Sequence, residues 1–342
     1  MSERLCRLCG TNPTPTRYSH TCMSCLSAGV KELRRLQALP FADKIQRTKQ
    51  TLRWWEKKYN HCGVSVSGGK ASTVLAHLYL STWPREKLSF WFGDTRLELP
   101  ETYSFLRQLD AEWNLDLHWI RTPHSPWAVF SEFGWPVGGK RRHNWPTDAK
   151  ARAHIGSECC RLLKHGPLDR AHKDAGIKVI GLGMQASEST QRRINWVEFG
   201  EEHTRKKDNM TRLQPLGIWT DEDIWAYHEA FRIPHSQVYD MGYRRNGCWA
   251  CGMDISFADS GLWQLEKSHP KHFATLMRKG MGEVINAYRL ACVADGKRRG
   301  GAAVKRLPDR HGCFHHEVGD QEWLDVSPRE GLRSAQEENS RG

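Results

Sequence analysis

Eleven cysteines in 342 residues carry much of the chemical signal of this chain, through their spacing more than their number. Four form two C-x-x-C pairs, Cys6/Cys9 and Cys22/Cys25. Four more form the adjacent pair Cys159-Cys160 and a third C-x-x-C, Cys248/Cys251. In a reducing compartment such pairs are metal ligands more readily than disulfides. The first set suits a tetrahedral zinc, because a segment as short as residues 1–30 cannot bury enough surface to fold unaided. Free thiols on a loose tail and an iron–sulfur cluster are the alternatives. In the second set, adjacent cysteines strain to share one ion but can each take a different corner of a [4Fe-4S] cubane, with Cys248 and Cys251 completing the thiolates. A structural four-thiolate zinc or inert buried thiols would also account for them.

The other chemical feature is the turn Ser67-Gly68-Gly69-Lys70-Ala71-Ser72. It follows a small, β-branched strand pattern and precedes an apolar helix pattern. At such a junction, convergent backbone N–H groups and a helix N-terminus attract phosphate. The spacing differs from G-x-x-x-x-G-K-[ST], which argues against a motor or GTPase. Lys70 is the candidate phosphate contact. Asp94 closes the next strand pattern, where open α/β sheets bind ligands, and could serve a nucleotide or Mg²⁺; a capping role is the plainer reading.

The elements that must position these residues alternate. A helix is expected within Val30–Tyr59, then strands at Cys62–Ser67, Leu88–Phe92, Leu115–Ile120 and Val179–Leu182. Helices are expected at Ser72–Leu80, Pro100–Trp113, Asp221–Phe231 (capped by Thr220 and Asp223) and Trp263–Leu276. Residues 197–212 are charged and expected to be exposed, and 134–158 to form a basic loop or lid. This alternation predicts an α/β fold, a mostly parallel sheet with helices on both faces. The organisation expected is a zinc knuckle at 1–30, a helical linker at 31–60, a main domain at 61–280 and a basic, partly disordered extension at 281–342.

The formal charge of +12 suits an anionic partner, nucleotide or nucleic acid, without choosing between them. No apolar signal core and no membrane-length stretch is seen, so a soluble, cytoplasmic protein is expected.

Taken in order, the motifs resemble the phosphoadenosine phosphosulfate reductase family of the adenine nucleotide alpha-hydrolase (PP-loop) superfamily. The superfamily's pyrophosphatase loop, Ser-Gly-Gly-x-Asp-Ser, is matched by Ser67–Ser72, with Ala71 in place of the Asp. Asp94-Thr95 and Pro100-Glu101-Thr102-Tyr103 match its second strand end and following helix start. Cys159-Cys160-Arg161-Leu162-Leu163-Lys164, Gly183 to Arg192 (with Glu188 and Ser189), Pro215 to Trp225, and Gly247-Cys248-Trp249-Ala250-Cys251 complete the series. The resemblance implies an iron–sulfur branch in which Cys159, Cys160, Cys248 and Cys251 hold the cluster near an adenylyl substrate. It also implies nucleotide contacts from Ser67, Gly68, Gly69, Lys70 and Ser72, anion contacts from Arg192 and Arg193, and an organising role for Glu188. Reductases of the family carry a tail Glu-Cys-Gly-x-His; here the nearest segment is His311-Gly312-Cys313-Phe314-His315, in a different order.

Three functions compete at this point. The leading expectation is ATP pyrophosphatase-type adenylation, with Mg²⁺, coupled to sulfur transfer onto nucleic acid, as in relatives acting in DNA phosphorothioation. A cysteine desulfurase would then be the sulfur donor, and Lys70 and Asp94 would serve catalysis. The alternative is reduction of adenylyl sulfate or its 3'-phosphorylated form to sulfite, with Cys313 as nucleophile and thioredoxin as donor. The third is a non-enzymatic nucleic-acid-binding accessory protein. A homo-oligomer is compatible with each.

Overall fold

The computed structural model describes residues 5–14, 20–137, 158–255, 257 and 259–288. Cys313, most of the basic loop expected at 134–158, and the extension from 289 onward lie outside the described residues.

Six strands form one sheet: β1 (Cys62–Ser65), β2 (Leu88–Asp94), β3 (His118–Arg121), β4 (Val179–Gly181), β5 (Glu202–Arg205) and β6 (Met210–Leu213). Their order is β3-β2-β1-β4-β6-β5, parallel throughout except for β5, which runs antiparallel to β6. The helices that frame the sheet are α1 (Met23–Gln37), α2 (Phe41–Lys58), α3 (Lys70–Leu80), α4 (Pro100–Trp113), α5 (Pro126–Phe133), α6 (158–174, with a π turn at Arg161–His165), α7 (Thr190–Phe199), α8 (Asp221–Phe231), α9 (Gly261–Ser268) and α10 (Pro270–Leu276). This is the mostly parallel α/β sheet expected from the alternation, in the adenine nucleotide alpha-hydrolase-like arrangement that the resemblance implies.

β2 shows how the sheet is covered. Its side chains alternate with period two. Phe90 and Phe92 enter a core shared with Val64, Val74, Leu78, Phe105 and Trp219. Trp91 and Gly93 meet α6 instead: the Trp91 and His172 ring centres lie 4.8 Å apart, and a Cβ at Gly93 would stand 2.7 Å from Leu168. A second apolar cluster joins α5, the start of α6, and α9 and α10 around Cys159 and Ala250.

Several boundaries differ from expectation for identifiable reasons. The helix expected across Val30–Tyr59 is two helices, because Pro40 precedes α2 as its N-cap residue and lacks the N–H to continue α1. Pro270 likewise splits Trp263–Leu276 into α9 and α10. The third strand starts at His118, after Asn114 and Asp116 take left-handed conformations (φ 49° and 51°). The charged stretch 197–212, expected to be exposed, contributes β5 and β6 to the sheet. Glu202 of β5 accepts hydrogen bonds from Trp55 Nε1 and Tyr59 OH, each at 2.6 Å, so its charge is satisfied inside the fold. Among the described residues no helix is long and apolar enough to cross a membrane.

Candidate functional site

The strand order reverses between β1 and β4, which neighbour each other with Val64 opposite Gly181. In doubly wound sheets the crevice beyond such a switch point takes the ligand. The glycine turn leaves β1 at this point. Gly68 has φ +72°, a conformation that strains residues with a Cβ. Ser67 N–H donates to Ser72 Oγ at 3.1 Å, and Ser72 Oγ donates to Gly69 O at 2.8 Å, so the turn is fixed by its own serines. The N–H groups of Gly68 and Gly69 have no protein acceptor among the described residues. Such groups, beside the N-terminus of α3, suit an anion. The chain leaving β4 comes in close: a Cβ at Gly183 would stand 3.1 Å from Ala71 O.

That chain carries the arginines. Gln185 and Glu188 form a capping box, and Gln185 Nε2 and Ser187 Oγ donate to Trp219 O at 3.2 and 3.1 Å, tying this motif to the Pro215–Trp225 motif. Ser189 caps α7 by accepting from Arg192 N–H. Arg192 pairs with Glu188, and Arg245 donates to Glu188 O at 2.9 Å. Burial, then the charge of Arg245, lowers the Arg192 pKa from its ordinary value. Two guanidinium groups gathered at the crevice edge, Arg192 half-buried and Arg245 exposed, suit an anion. Arg193 stands beside them in the first turn of α7, half-buried.

One segment, 244–251, links the turn, the arginines and the cysteines. Asn246 lies against the turn, its amide nitrogen 3.1 Å from where a Gly68 Cβ would stand, and accepts from Thr102 Oγ1 at 2.7 Å. Lys70 was the expected contact to ATP phosphates. Its ammonium is instead held by Asp221 Oδ2 at 2.8 Å and Arg244 O at 3.3 Å, with the Trp225 and Tyr239 rings each 5.3 Å away. Its backbone N–H donates to Tyr239 OH at 2.8 Å. Asp94 is also fully engaged. Oδ1 accepts from Tyr103 OH at 2.7 Å and Arg96 N–H at 2.8 Å, and Oδ2 accepts from Arg121 Nε at 2.8 Å. Burial alone would raise its pKa, but these donors outweigh burial and hold the carboxyl below its usual value. Asp94 thus positions Tyr103 and Arg121 at a cavity of about 740 Å³ that Arg96, Arg107 and Trp119 also line. Asn246, Tyr239 and Arg121 were not singled out from the sequence, and Tyr103 was marked only as part of a helix start. They act through partners far along the chain, and only the C-x-x-C that follows Asn246 marked its neighbourhood.

The second cysteine set surrounds the end of β2. Cys248 Sγ lies 3.2 Å from Thr95 Oγ1 and 3.9 Å from Glu98 Oε1. Cys251 N–H donates to Cys248 O at 3.1 Å, and Trp249 N–H donates to Leu97 O at 2.8 Å. Cys159 and Cys160 open α6. A hydrogen bond from Cys159 is the first cause that lowers Cys160 to about 6, and Lys164 assists. Burial pushes Cys251 up to about 11 and Cys248 well above the usual thiol value, with Lys164 opposing both. The charge of Cys160, Cys248 and Cys251 reaches Cys159, and Lys164 is the cation shared by Cys160, Cys248 and Cys251. The N-terminal set is tighter: the Sγ atoms of Cys6, Cys9, Cys22 and Cys25 all lie within 4.8 Å of one another, a group able to hold a metal ion.

Fold and site together define a mostly parallel α/β protein whose candidate anion crevice adjoins a group of thiols. A family model of the phosphoadenosine phosphosulfate reductase domain matches residues 61–253, more than half of the chain, and the chain belongs to that family of enzymes. It is 30% identical over 120 residues to an adenosine 5'-phosphosulfate reductase of Burkholderia cepacia, covering 34% of this chain and 46% of the relative, so it spans about half of that relative's length. An enzyme of the same description from Lysinibacillus sphaericus is 24% identical over 63% of this chain and 85% of its own. A phosphoadenosine 5'-phosphosulfate reductase of Gloeobacter violaceus is 26% identical over 57% of this chain and 75% of its own. These relatives overturn the expectation of ATP-pyrophosphatase sulfur transfer onto nucleic acid: the family match and the named relatives are sulfonucleotide reductases. The physical reason for the misreading is that a glycine turn accepts any phosphate, and its chemistry does not report whether that phosphate belongs to ATP.

Proposed function

We propose that this protein reduces an adenylyl sulfate, with or without a 3'-phosphate, to sulfite and the corresponding adenosine phosphate. The observation that carries the reading is the adjacency of the anion crevice to the second cysteine set through the single segment 244–251. The turn at Ser67–Ser72 and Arg192, Arg193 and Arg245 would hold the substrate's phosphate and sulfate oxygens. Ala71 supports this, since the loop lacks the carboxylate that the ATP-cleaving pattern carries there. Lys70 and Asp94 would act by holding Asp221, Tyr103 and Arg121 in place rather than by touching the reacting atoms.

In the proposed chemistry a cysteine thiolate attacks the sulfate sulfur. An S–S bond forms, the S–O bond to phosphate breaks, and the adenosine phosphate leaves. A dithiol donor such as thioredoxin then attacks the cysteine sulfur, becomes oxidised to a disulfide, and releases sulfite. Cys313 is the proposed nucleophile, which lies outside the described residues. Cys159, Cys160, Cys248 and Cys251 would hold a [4Fe-4S] cluster: four thiols from two segments near enough to feel one another's charge, with Lys164 beside them. Such a cluster would supply an electrostatic field to the site. Cys6, Cys9, Cys22 and Cys25 fit zinc. Four thiolates at about 2.3 Å from one ion stand about 3.8 Å apart, and Cys9 and Cys22 Sγ are 3.9 Å apart.

The test uses anaerobically prepared protein, each phosphosulfate in turn, and thioredoxin or a small dithiol. Sulfite release from at least one substrate is expected. Absence of sulfite from both, with iron and zinc loaded, would sink the reading.

A further inference from the structure

The N-terminal cysteine unit has almost nothing apolar of its own to hold it. Leu5, Leu8 and Met23 are exposed, and apart from Cys6 and Cys22 its buried side chains are polar. Its turns close through Cys6 N–H to Asn12 O and Gly10 N–H to Cys6 O, each at 2.8 Å. A segment of this kind depends on thiolate ligation for its shape.

What the unit touches is the helix that carries the site arginines. α1 grows directly out of it, with Cys22 as N-cap residue and Cys25 in its first turn. One turn on, Gly29 lies against α7, where a Cβ would stand 2.3 Å from Val197 Cγ1. From the other side, the Arg7 guanidinium covers the Phe199 ring at 4.6 Å, and the His20 ring centre is 6.4 Å from the same ring. Both halves of the unit therefore grip the C-terminal half of α7. Arg192 and Arg193 occupy its N-terminal turn. A helix of 10 residues is about 15 Å long and moves as a short rod. No residue of α7 is fully buried, and Trp196 is the side chain that packs it against the main core.

We infer that the metal-loaded four-cysteine unit is a clamp that sets the position of α7, and through it the position of Arg192 against the bound anion. The unit acts at a distance and makes no contact with the nucleotide. The inference rests on the zinc reading of this N-terminal unit and on the nucleotide reading of the crevice.

The full-length chain tests it with three measurements: bound zinc, amide exchange of α7 compared with α4, and affinity for AMP as probe. Cys9→Ser, or chelation, is expected to remove zinc, speed α7 exchange and weaken AMP roughly tenfold, while α4 stays protected. Gly29→Val keeps all four cysteines and is expected to keep zinc yet weaken AMP. Adding Val197→Ala to it makes room and is expected to restore affinity. Zinc loss with unchanged α7 exchange and unchanged AMP affinity would overturn the clamp, as would Gly29→Val without effect. Wild-type protein that binds no zinc would overturn it at its first step. A wild type that fails to bind AMP, while α7 exchange still responds to zinc, upholds the clamp and sinks the nucleotide reading alone.

Discussion

Arg192 and Arg245 meet around Glu188, Arg192 at its carboxylate and Arg245 at its backbone carbonyl, and the two guanidinium groups make this the place where an added anion is expected. A charge-assisted hydrogen bond contributes about 1.5–3 kcal/mol. Arg192→Ala is therefore expected to weaken AMP or substrate binding by roughly tenfold to a hundredfold, read as a rise in KM or in Kd by calorimetry. An unchanged affinity would place the anion elsewhere. Lys70 shows what the sequence cannot carry. Its type and place in the loop suggest phosphate contact, and in the fold its ammonium also pairs with Asp221 and the Arg244 carbonyl, 151 and 174 residues away. Nothing near Lys70 in the chain reports them.

Local signals decide whole elements where they are dense. α4 and α8 run from Pro100 to Trp113 and from Asp221 to Phe231, as their proline start and capping box dictate. Where local and tertiary signals disagree, the tertiary ones prevail. β5 and β6 carry charges that suggest an exposed loop, yet Lys58, Tyr59 and Trp55 of the α2 region satisfy Glu202 and let the pair extend the sheet. The candidate site divides in the same way. The glycine turn, the Gly183–Arg192 loop and the N-terminal cysteine set are compact motifs that the sequence marks, and the second cysteine set joins two such motifs. Asn246, Tyr239 and Arg121 carry no such mark, because their roles exist only once β1, β2 and the 244–251 segment meet.

Among the described residues His172 and His228 are buried, and their burial has a measurable consequence. Burial lowers the pKa of both and takes His172 to about 4. Both ring nitrogens of His172 are buried without a hydrogen-bond partner. In the unfolded chain these groups titrate near pH ~6.5. Below that pH the unfolded state binds more protons than the folded state, so stability falls as the medium is acidified. For His172 the loss runs from about 6.5 down to about 4. Denaturant midpoints are expected to drop steadily between pH 7 and pH 5, and His172→Leu to reduce that slope. A midpoint independent of pH over this range would contradict the buried, neutral state of these rings.

The central claim is that the crevice and its cysteines break a sulfonucleotide's S–O bond, and trapping the covalent product tests it most directly. Anaerobic protein mixed with one equivalent of phosphosulfate and no thiol donor is expected to release one equivalent of adenosine phosphate and to gain the mass of one SO3 group. That group should map to Cys313 and vanish on addition of a dithiol, with sulfite appearing. Unmodified protein with no adenosine phosphate released, alongside pyrophosphate production from ATP and Mg²⁺, would contradict the account.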